Sequence, residues 1–399
     1  MTAAPNLLVD PELHATGDPF AVWRWMREHA PVYRHEAGEL PAFWSLTRHA
    51  DVRAVYRDPG LFSSAHGVLL RPVRSGADPG GGLTLALTDP PRHRALRSAM
   101  AEWFATRSVR ALEGMMRSAV RSILDRAMEI GECDFVHDVV ARLSHAVICR
   151  IIGVPDADQE DLFGWTNDAF HESASLAAHR QLMAYFIELM HRRMTDPTDD
   201  LMSLLVTCSI DGTLLTEEEI LLNCENLLGA TENGRLALVG GLHALLSHPG
   251  QWHRLRADRS LLPSAVEEIL RWTSSATHSM RTATRATELH GVRIEAGDRV
   301  VVWIPSANRD ERVFTDADRF DIARSPNRHL ALGSGEHFCI GGVLARAETR
   351  ILFGALLDRA GAISLAGPVV PLRSIAVRGP ESLPVQITPA ATRSERYVS

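Results

Sequence analysis

The sequence predicts a mainly α fold with small β-sheets. Three observations carry that expectation. Apolar residues recur at three- and four-residue spacing along most of the chain, strand patterns are few and short, and no internal repeat or long linker divides the 399 residues. A chain of this length forms one large domain or two to three of average size, with ample apolar material for a core.

Taken in order, the helical periodicity covers residues 19–30, 91–130, 136–152, 158–192, 199–208, 216–247, 251–257, 263–272 and 341–360. Two helix starts carry a capping-box pattern, Thr216 with Glu219 and Ser264 with Glu267, in which the hydroxyl stands at N-cap and the acid three residues on. Strand patterns lie at Val32–Tyr33, Ala42–Leu46, Glu288–Ile294 and Arg299–Ile304, followed by a β-like tail from Ile363 to Ile387. Helices do not alternate with strands, so a doubly wound α/β fold is not expected. Residues 74–82, rich in glycine, read as a mobile surface loop rather than a domain boundary.

Composition narrows the function. The chain is 45% hydrophobic, which excludes disorder, and no apolar run approaches a membrane-spanning length. Asp10 and Glu12 stand where a secretory signal would need apolar residues, so a soluble, cytoplasmic protein with no membrane contact is expected. Basic residues number 42 against 49 acidic ones, a net charge of −7 that makes nucleic acid a poor partner. All the basic residues are arginine, a sign of a GC-rich genome and not of mechanism. Five cysteines without a CxxC pair argue against a disulfide framework or a structural zinc site. Cys133, Cys149, Cys208 and Cys224 lie among apolar helical residues and read as buried small side chains.

Cys339 differs. It sits in Leu332-Gly333-Ser334-Gly335-Glu336-His337-Phe338-Cys339-Ile340-Gly341-Gly342, with an amphipathic helix behind it. A helix N-terminus favours thiolate over thiol, and glycine lets a large planar ligand come close to the backbone. Such a thiolate suits a nucleophile, a redox sensor or an axial metal ligand. The stretch resembles the heme-binding loop of the cytochrome P-450 family, F-x-x-G-x-H-x-C-x-G, at Gly335, His337, Cys339 and Gly341. The resemblance spans nearly the whole chain. Glu268-Ile269-Leu270-Arg271 is similar to the E-x-x-R helix, Asn308-Arg309-Asp310 through Arg324 to the segment that completes its Glu-Arg-Arg network, and Asp89 through Arg97 to the bacterial D-P-P-x-H-x-x-L-R segment. Asp199-Asp200-Leu201 and Arg281-Thr282-Ala283 also stand where bacterial members place similar residues.

The resemblance implies a single cytochrome P-450 domain over residues 1–399, with heme b (iron protoporphyrin IX) between a long distal helix and the Cys339 loop. It makes Cys339 the axial iron ligand and His93, Arg97, Arg281 and His337 the partners of the heme propionates. Glu268, Arg271 and Arg324 become a buried structural network, and His329 reads as structural. Leu332 stands where the family has an aromatic residue; ligation is expected to survive with altered packing beside the sulfur.

On the distal side, Leu228-Gly229-Ala230-Thr231-Glu232-Asn233-Gly234 is similar to the family's A-G-x-(D/E)-T-T. Glu232 matches the acid, while Asn233 replaces the threonine and Gly234 makes a kink or groove expected. Glu232 and Asn233 are therefore the expected catalytic pair. Substrate contacts are expected from Val68, Leu69, Leu85 and Ala86, from Leu228 and Gly229, from His278 as a polar handle, and from Ala376 in a closing turn, with residues 74–82 as an entry lid.

These implications add up to an oxidoreductase of an apolar small molecule, a secondary metabolite, using dioxygen and electrons from a separate ferredoxin and ferredoxin reductase. No flavin, dinucleotide or cluster motif accompanies the heme loop, and Arg346 and Arg350 are candidates to meet an acidic ferredoxin. Three other readings stand beside it. Oxidative coupling would form a C–C, C–N or C–O bond without oxygen insertion, a non-catalytic heme protein would tolerate Asn233, and a cysteine hydrolase would leave the other motifs unexplained.

Overall fold

The computed structural model describes residues 5–73, 76, 78–170 and 176–390. Asp10 and Asp18 each accept a backbone N–H at the starts of α1 (Pro11–Ala15) and α2 (Pro19–His29), both of which open on proline, where its missing N–H costs nothing. α3 (His49–Arg57) has no side-chain cap and was not among the expected helices. Its buried Val52, Val55 and Tyr56 are interleaved with arginines and an aspartate.

The expected helix over 91–130 is two, α4 (Arg92–Met100) and α5 (Thr106–Ile130), parted by a 3-10 turn at Ala101–Phe104 and an extended Ala105. Neither glycine nor proline marks that break. Buried Phe104 stands there, so packing sets the break. A π-type stretch, Phe135–Ala141, runs into α6 (Arg142–Ile152), and α7 (Gln159–Phe170) and α8 (Leu176–Thr195) take the place of the expected 158–192 helix, residues 171–175 lying outside the described residues. Then come α9 (Leu201–Thr207), α10 (Glu217–Ser247), α11 (Pro249–Ala257), α12 (Leu262–Thr273), α13 (Ile304–Ala307) and α14 (Gly342–Arg359).

Of the two expected capping boxes one forms. Glu219 N donates to Thr216 Oγ1 at 3.2 Å and Thr216 N to Glu219 Oε2 at 2.9 Å. The Ser264 box does not, because Pro263 fits the first turn and moves the start of α12 to Leu262; the Ser264 hydroxyl donates to Leu261 O instead. At Gly234 α10 continues as α-helix, unbroken from 217 to 247.

The largest sheet has the order Val32–His35, Phe43–Leu46, Arg299–Trp303, His278–Ala283, Phe62–Ser63. Its middle pair is antiparallel with Val301 opposite Met280, and Val300 lies opposite Trp44 in a parallel pair. The His278–Ala283 strand was not foreseen, because His-Ser-Met-Arg-Thr-Ala shows little β-branched or aromatic character; it is held by its neighbours rather than by propensity. A second sheet joins Ala360–Leu365, Pro384–Pro389 and Glu132–Asp134. The main core forms where α5, α6, α10, α12 and α14 meet, so α10 runs through the molecule and its middle is held on several sides. Among the described residues no helix is long and apolar enough to cross a membrane.

Candidate active site

Two glycines shape the Cys339 loop. Gly335 adopts φ +74°, and a Cβ there would lie 2.6 Å from Tyr56 O, so only glycine fits against α3. At Gly342 a Cβ would meet the Phe338 ring at 3.1 Å and Leu332 Cδ1 at 3.4 Å. The loop is pinned by Cys339 N donating to Leu332 O at 2.9 Å. Cys339 counts among the exposed residues, yet burial is the largest influence on its thiol. That burial pushes the thiol up from its ordinary value, against the opposing pull of the Gly341 N–H, Arg97 and Arg346. The other four cysteines are free and buried, as expected.

Beside the sulfur lie the four basic residues expected to meet propionates. The His93 and His337 rings are 4.0 Å apart, and both His93 nitrogens are buried without a hydrogen-bond partner. His337 is held at about 3, by burial first and then by Arg281, His93 and Arg97. Arg281 is 5% exposed; it donates to Ser279 Oγ and Met280 O at 2.7 Å, and its guanidinium lies 5.5 Å from the Tyr56 ring centre. Among the described residues none of the four makes an ion pair with a carboxylate. The nearby acids are engaged elsewhere, Asp89 with Ser63 and Ser64 and Glu336 with Arg94. Arginines without counter-ions, orphaned imidazole nitrogens and a thiol beside them fit a planar group that carries an iron and two carboxylates. Tyr56 and Ser64, the latter 3.4 Å from His337 Nε2, were missed in sequence because no motif surrounds them.

The loop is braced from behind. Glu268, fully buried, accepts from Arg271 at 2.8 Å twice, from Arg324 Nε at 3.1 Å, from Asn327 Nδ2 at 3.1 Å and from the Asp321 N–H at 2.9 Å. Arg271 also donates to Asn308 O, and Asn308 Oδ1 accepts from Leu330 N at 2.7 Å, immediately before the loop. Glu267 adds a second brace, bonding His329 at 3.1 Å on one side of Cys339 and Arg346 at 2.6 and 2.8 Å on the other; these contacts hold its carboxyl at about 2 despite burial. Of the two arginines considered for a partner, Arg346 thus pairs with Glu267 and Arg350 with Glu113 at 2.6 Å, and both side chains keep about a third of their surface exposed.

On α10, Glu232 accepts Arg235 Nε at 2.8 Å in a two-pronged pair, and the buried Asn233 Oδ1 has no partner. The Asn233 carbonyl accepts the Ser275 hydroxyl at 2.8 Å. Gly234 borders open space, with nothing within 4 Å of where a Cβ would be.

The expected substrate contacts divide. Val68, Ala86, Gly229 and Ala376 are half-buried and Leu69 is 42% exposed. Leu85 and Leu228 pack into the main core, and Leu228 at 1% exposure has no surface left for a ligand. His278 is not a polar handle: Nε2 accepts Leu70 N–H at 2.9 Å, which leaves the proton on Nδ1 to donate to Ile375 O at 2.9 Å. Burial keeps it neutral, at about 4, and it ties the 68–70 loop to the 375 turn. Of the expected lid, Arg74, Ser75 and Ala77 lie outside the described residues, and Gly81 sits so close to Ala65 that a Cβ would be 2.6 Å from its carbonyl oxygen.

Comparison with known proteins agrees with this arrangement. The sequence profile of the family described as Cytochrome P450 matches residues 161–359. Cytochrome P450 NovI of Streptomyces niveus is 37% identical over 390 residues, covering 96% of each chain. The steroid C26-monooxygenase of Mycolicibacterium smegmatis is 37% identical over 405 residues, 98% of each chain. The crystal structure of P450 OxyD, involved in the biosynthesis of vancomycin-type antibiotics, superposes with a TM-score of 0.89 at 35% identity, over 96% of this chain and 99% of that one. Similarity of that extent, over a fold and a cysteine loop of this kind, establishes that the chain belongs to the cytochrome P450 family of heme b oxidoreductases.

Proposed function

We propose that the chain oxidises an apolar small molecule, a secondary metabolite, as a single heme-thiolate domain fed by a ferredoxin and its reductase. The observation that carries this reading is the set of four basic side chains beside Cys339, none of which has a carboxylate partner among the described residues, with both His93 nitrogens unpartnered. The likeness to OxyD supports the metabolite class, and the half-buried Val68, Ala86 and Ala376 suit an apolar guest. Cys339 would hold the iron, and His93, Arg97, Arg281 and His337 the propionates. When bound, heme supplies dioxygen activation and takes up electrons one at a time. The chain's own part is to exclude water, orient the substrate and move protons from the Glu232–Asn233 side. A carbon-monoxide spectrum of the reduced protein tests the reading; a Soret band away from the thiolate position overturns it.

Removing one propionate partner leaves a carboxylate without its charge-assisted bonds, worth roughly 1.5–3 kcal/mol apiece. Arg97→Ala and Arg281→Ala are expected to lower heme retained after gel filtration, measured as the heme-to-protein absorbance ratio. Unchanged ratios in both variants would remove these residues from the site.

Asn233 favours a second reading. An amide bonds water or a substrate group through its unpartnered oxygen but relays protons poorly, so coupling without oxygen insertion competes with insertion. Turnover under labelled dioxygen separates them, since only insertion leaves label in the product. In either case Asn233→Ala is expected to slow product formation by about tenfold or more and to raise peroxide release. A product yield per electron equal to the parent's would reduce Asn233 to packing.

A further inference from the structure

Away from the Cys339 loop, a cleft of about 210 Å³ opens between α1, α10, α12 and the segment 378–380, and it is lined by positive charge without an acid. The Arg309 guanidinium is sandwiched between Phe20 and Trp272, 3.8 and 3.9 Å from the ring centres. Its side chain is 11% exposed and its buried Nε has no hydrogen-bond partner; the one carboxylate it meets is Asp318, at 3.4 Å and outside the cleft lining. Arg378 lies 4.6 Å from the Phe20 ring centre, and its side chain makes one long hydrogen bond, 3.3 Å to Thr273 O. His14, His243 and Thr273 also line the cleft; His14 Nε2 donates to Leu8 O at 2.9 Å, so its buried Nδ1 is an acceptor and takes no part in holding an anion.

Aromatic faces stabilise a guanidinium from above and below, but they leave its N–H edges unmet. Two desolvated arginines side by side repel each other, and burial brings Arg309 down to about 9 and Arg378 to about 10. Asp318 meets Arg309 through one long contact and Arg378 has no carboxylate among the described residues, so an anion from solution would supply the missing charge. We propose that this cleft is a binding site for a small oxyanion, a phosphate or a carboxylate, held between Arg309 and Arg378.

The site has a path to the distal helix. Arg378 N donates to Ser275 O at 2.8 Å, and the Ser275 hydroxyl donates to the carbonyl of Asn233. Leu236, Gly240 and His243, further along α10, form the cleft's other wall. An anion there would clamp the segment after the 375 turn to the stretch after α13 that carries Arg309, with α10 as the facing wall. The inference stands apart from the heme assignment, since no residue of the Cys339 loop takes part.

The test uses the heme-loaded full chain, with phosphate, succinate or sodium chloride at one ionic strength. Phosphate or succinate is expected to raise Tm saturably, by about 3 °C or more above chloride, and to give a one-site isotherm in calorimetry. A rise with phosphate alone identifies a phosphate site, with succinate alone a carboxylate site, and with both a shared oxyanion site. Arg378→Gln should abolish the rise. Should that variant not fold, Ala15→Glu provides an independent check by placing a carboxylate at the cleft wall: its Tm should be higher without added anion and insensitive to it. No saturable difference between either oxyanion and chloride, or an undiminished response in Ala15→Glu, overturns the proposal.

Discussion

Cys339→Ser is expected to abolish both the thiolate spectrum and turnover while leaving the fold in place. Cys339 is exposed and outside the hydrophobic core, so losing its sulfur removes little of the core packing. Serine occupies slightly less volume and keeps the backbone bond from Cys339 N to Leu332 O. What it removes is the soft, anionic donor: an alkoxide does not form near neutral pH, and a neutral hydroxyl pushes little electron density onto iron. The two arginines and two neutral imidazoles around the site remain, so heme is expected to bind with its propionates held and its thiolate signature gone. The measurement is the carbon-monoxide spectrum of the reduced variant beside its far-ultraviolet circular dichroism. A retained thiolate band would mean another cysteine reaches the iron. The four remaining cysteines are buried in the fold; burial pushes the Cys149 and Cys224 thiols up to about 12 and the Cys133 thiol to about 11, and raises that of Cys208.

Glu268→Ala should have the largest effect on stability. Its carboxylate receives five hydrogen-bond donor groups: two Arg271 nitrogens, Arg324 Nε, Asn327 Nδ2 and the Asp321 N–H. Truncation leaves two guanidiniums in the interior with backbone carbonyls as partners and no counter-charge. Breaking a buried pair in this way costs about 3–5 kcal/mol, a large share of the roughly 5–15 kcal/mol that holds a domain folded. The loss passes to the heme loop through the Asn308–Leu330 bond. The expected outcome is a protein that expresses poorly or, if recovered, melts many degrees lower and yields little heme-bound material. A surface pair such as Arg293 with Glu295 is the control, where both side chains are largely in solvent and deletion should leave the melting temperature nearly unchanged. Equal losses at the two places would show that the Glu268 network contributes no more than a solvated pair.

Much of this was legible in the sequence, for identifiable reasons. α10 announces itself through Thr216 and Glu219, whose chemistry is local and needs no tertiary context. The Cys339 loop is legible because its glycines, Gly335 above all, answer steric demands that no other residue meets. The break at Ala101–Ala105 is not legible: the chain turns there to bury Phe104, and nothing in Ala-Glu-Trp-Phe-Ala-Thr forbids a helix. The same holds for His278–Ala283, a strand made by its neighbours. His278 offered a polar group on an expected pocket wall, and sequence alone could not show that two backbone partners had already claimed both nitrogens. The Glu267 brace likewise joins residues 62 and 79 positions apart, beyond any local pattern.

The packing at Gly342 has a consequence for directed evolution. Leu332 Cδ1 and the Phe338 ring both reach the volume a Cβ at 342 would take. An aromatic residue returning to 332 would compete with Phe338 for that room, and a larger residue at 342 would displace both. The three positions therefore share one contact, and a library that varies 332, 338 and 342 together searches that space more fully than one that varies 332 alone.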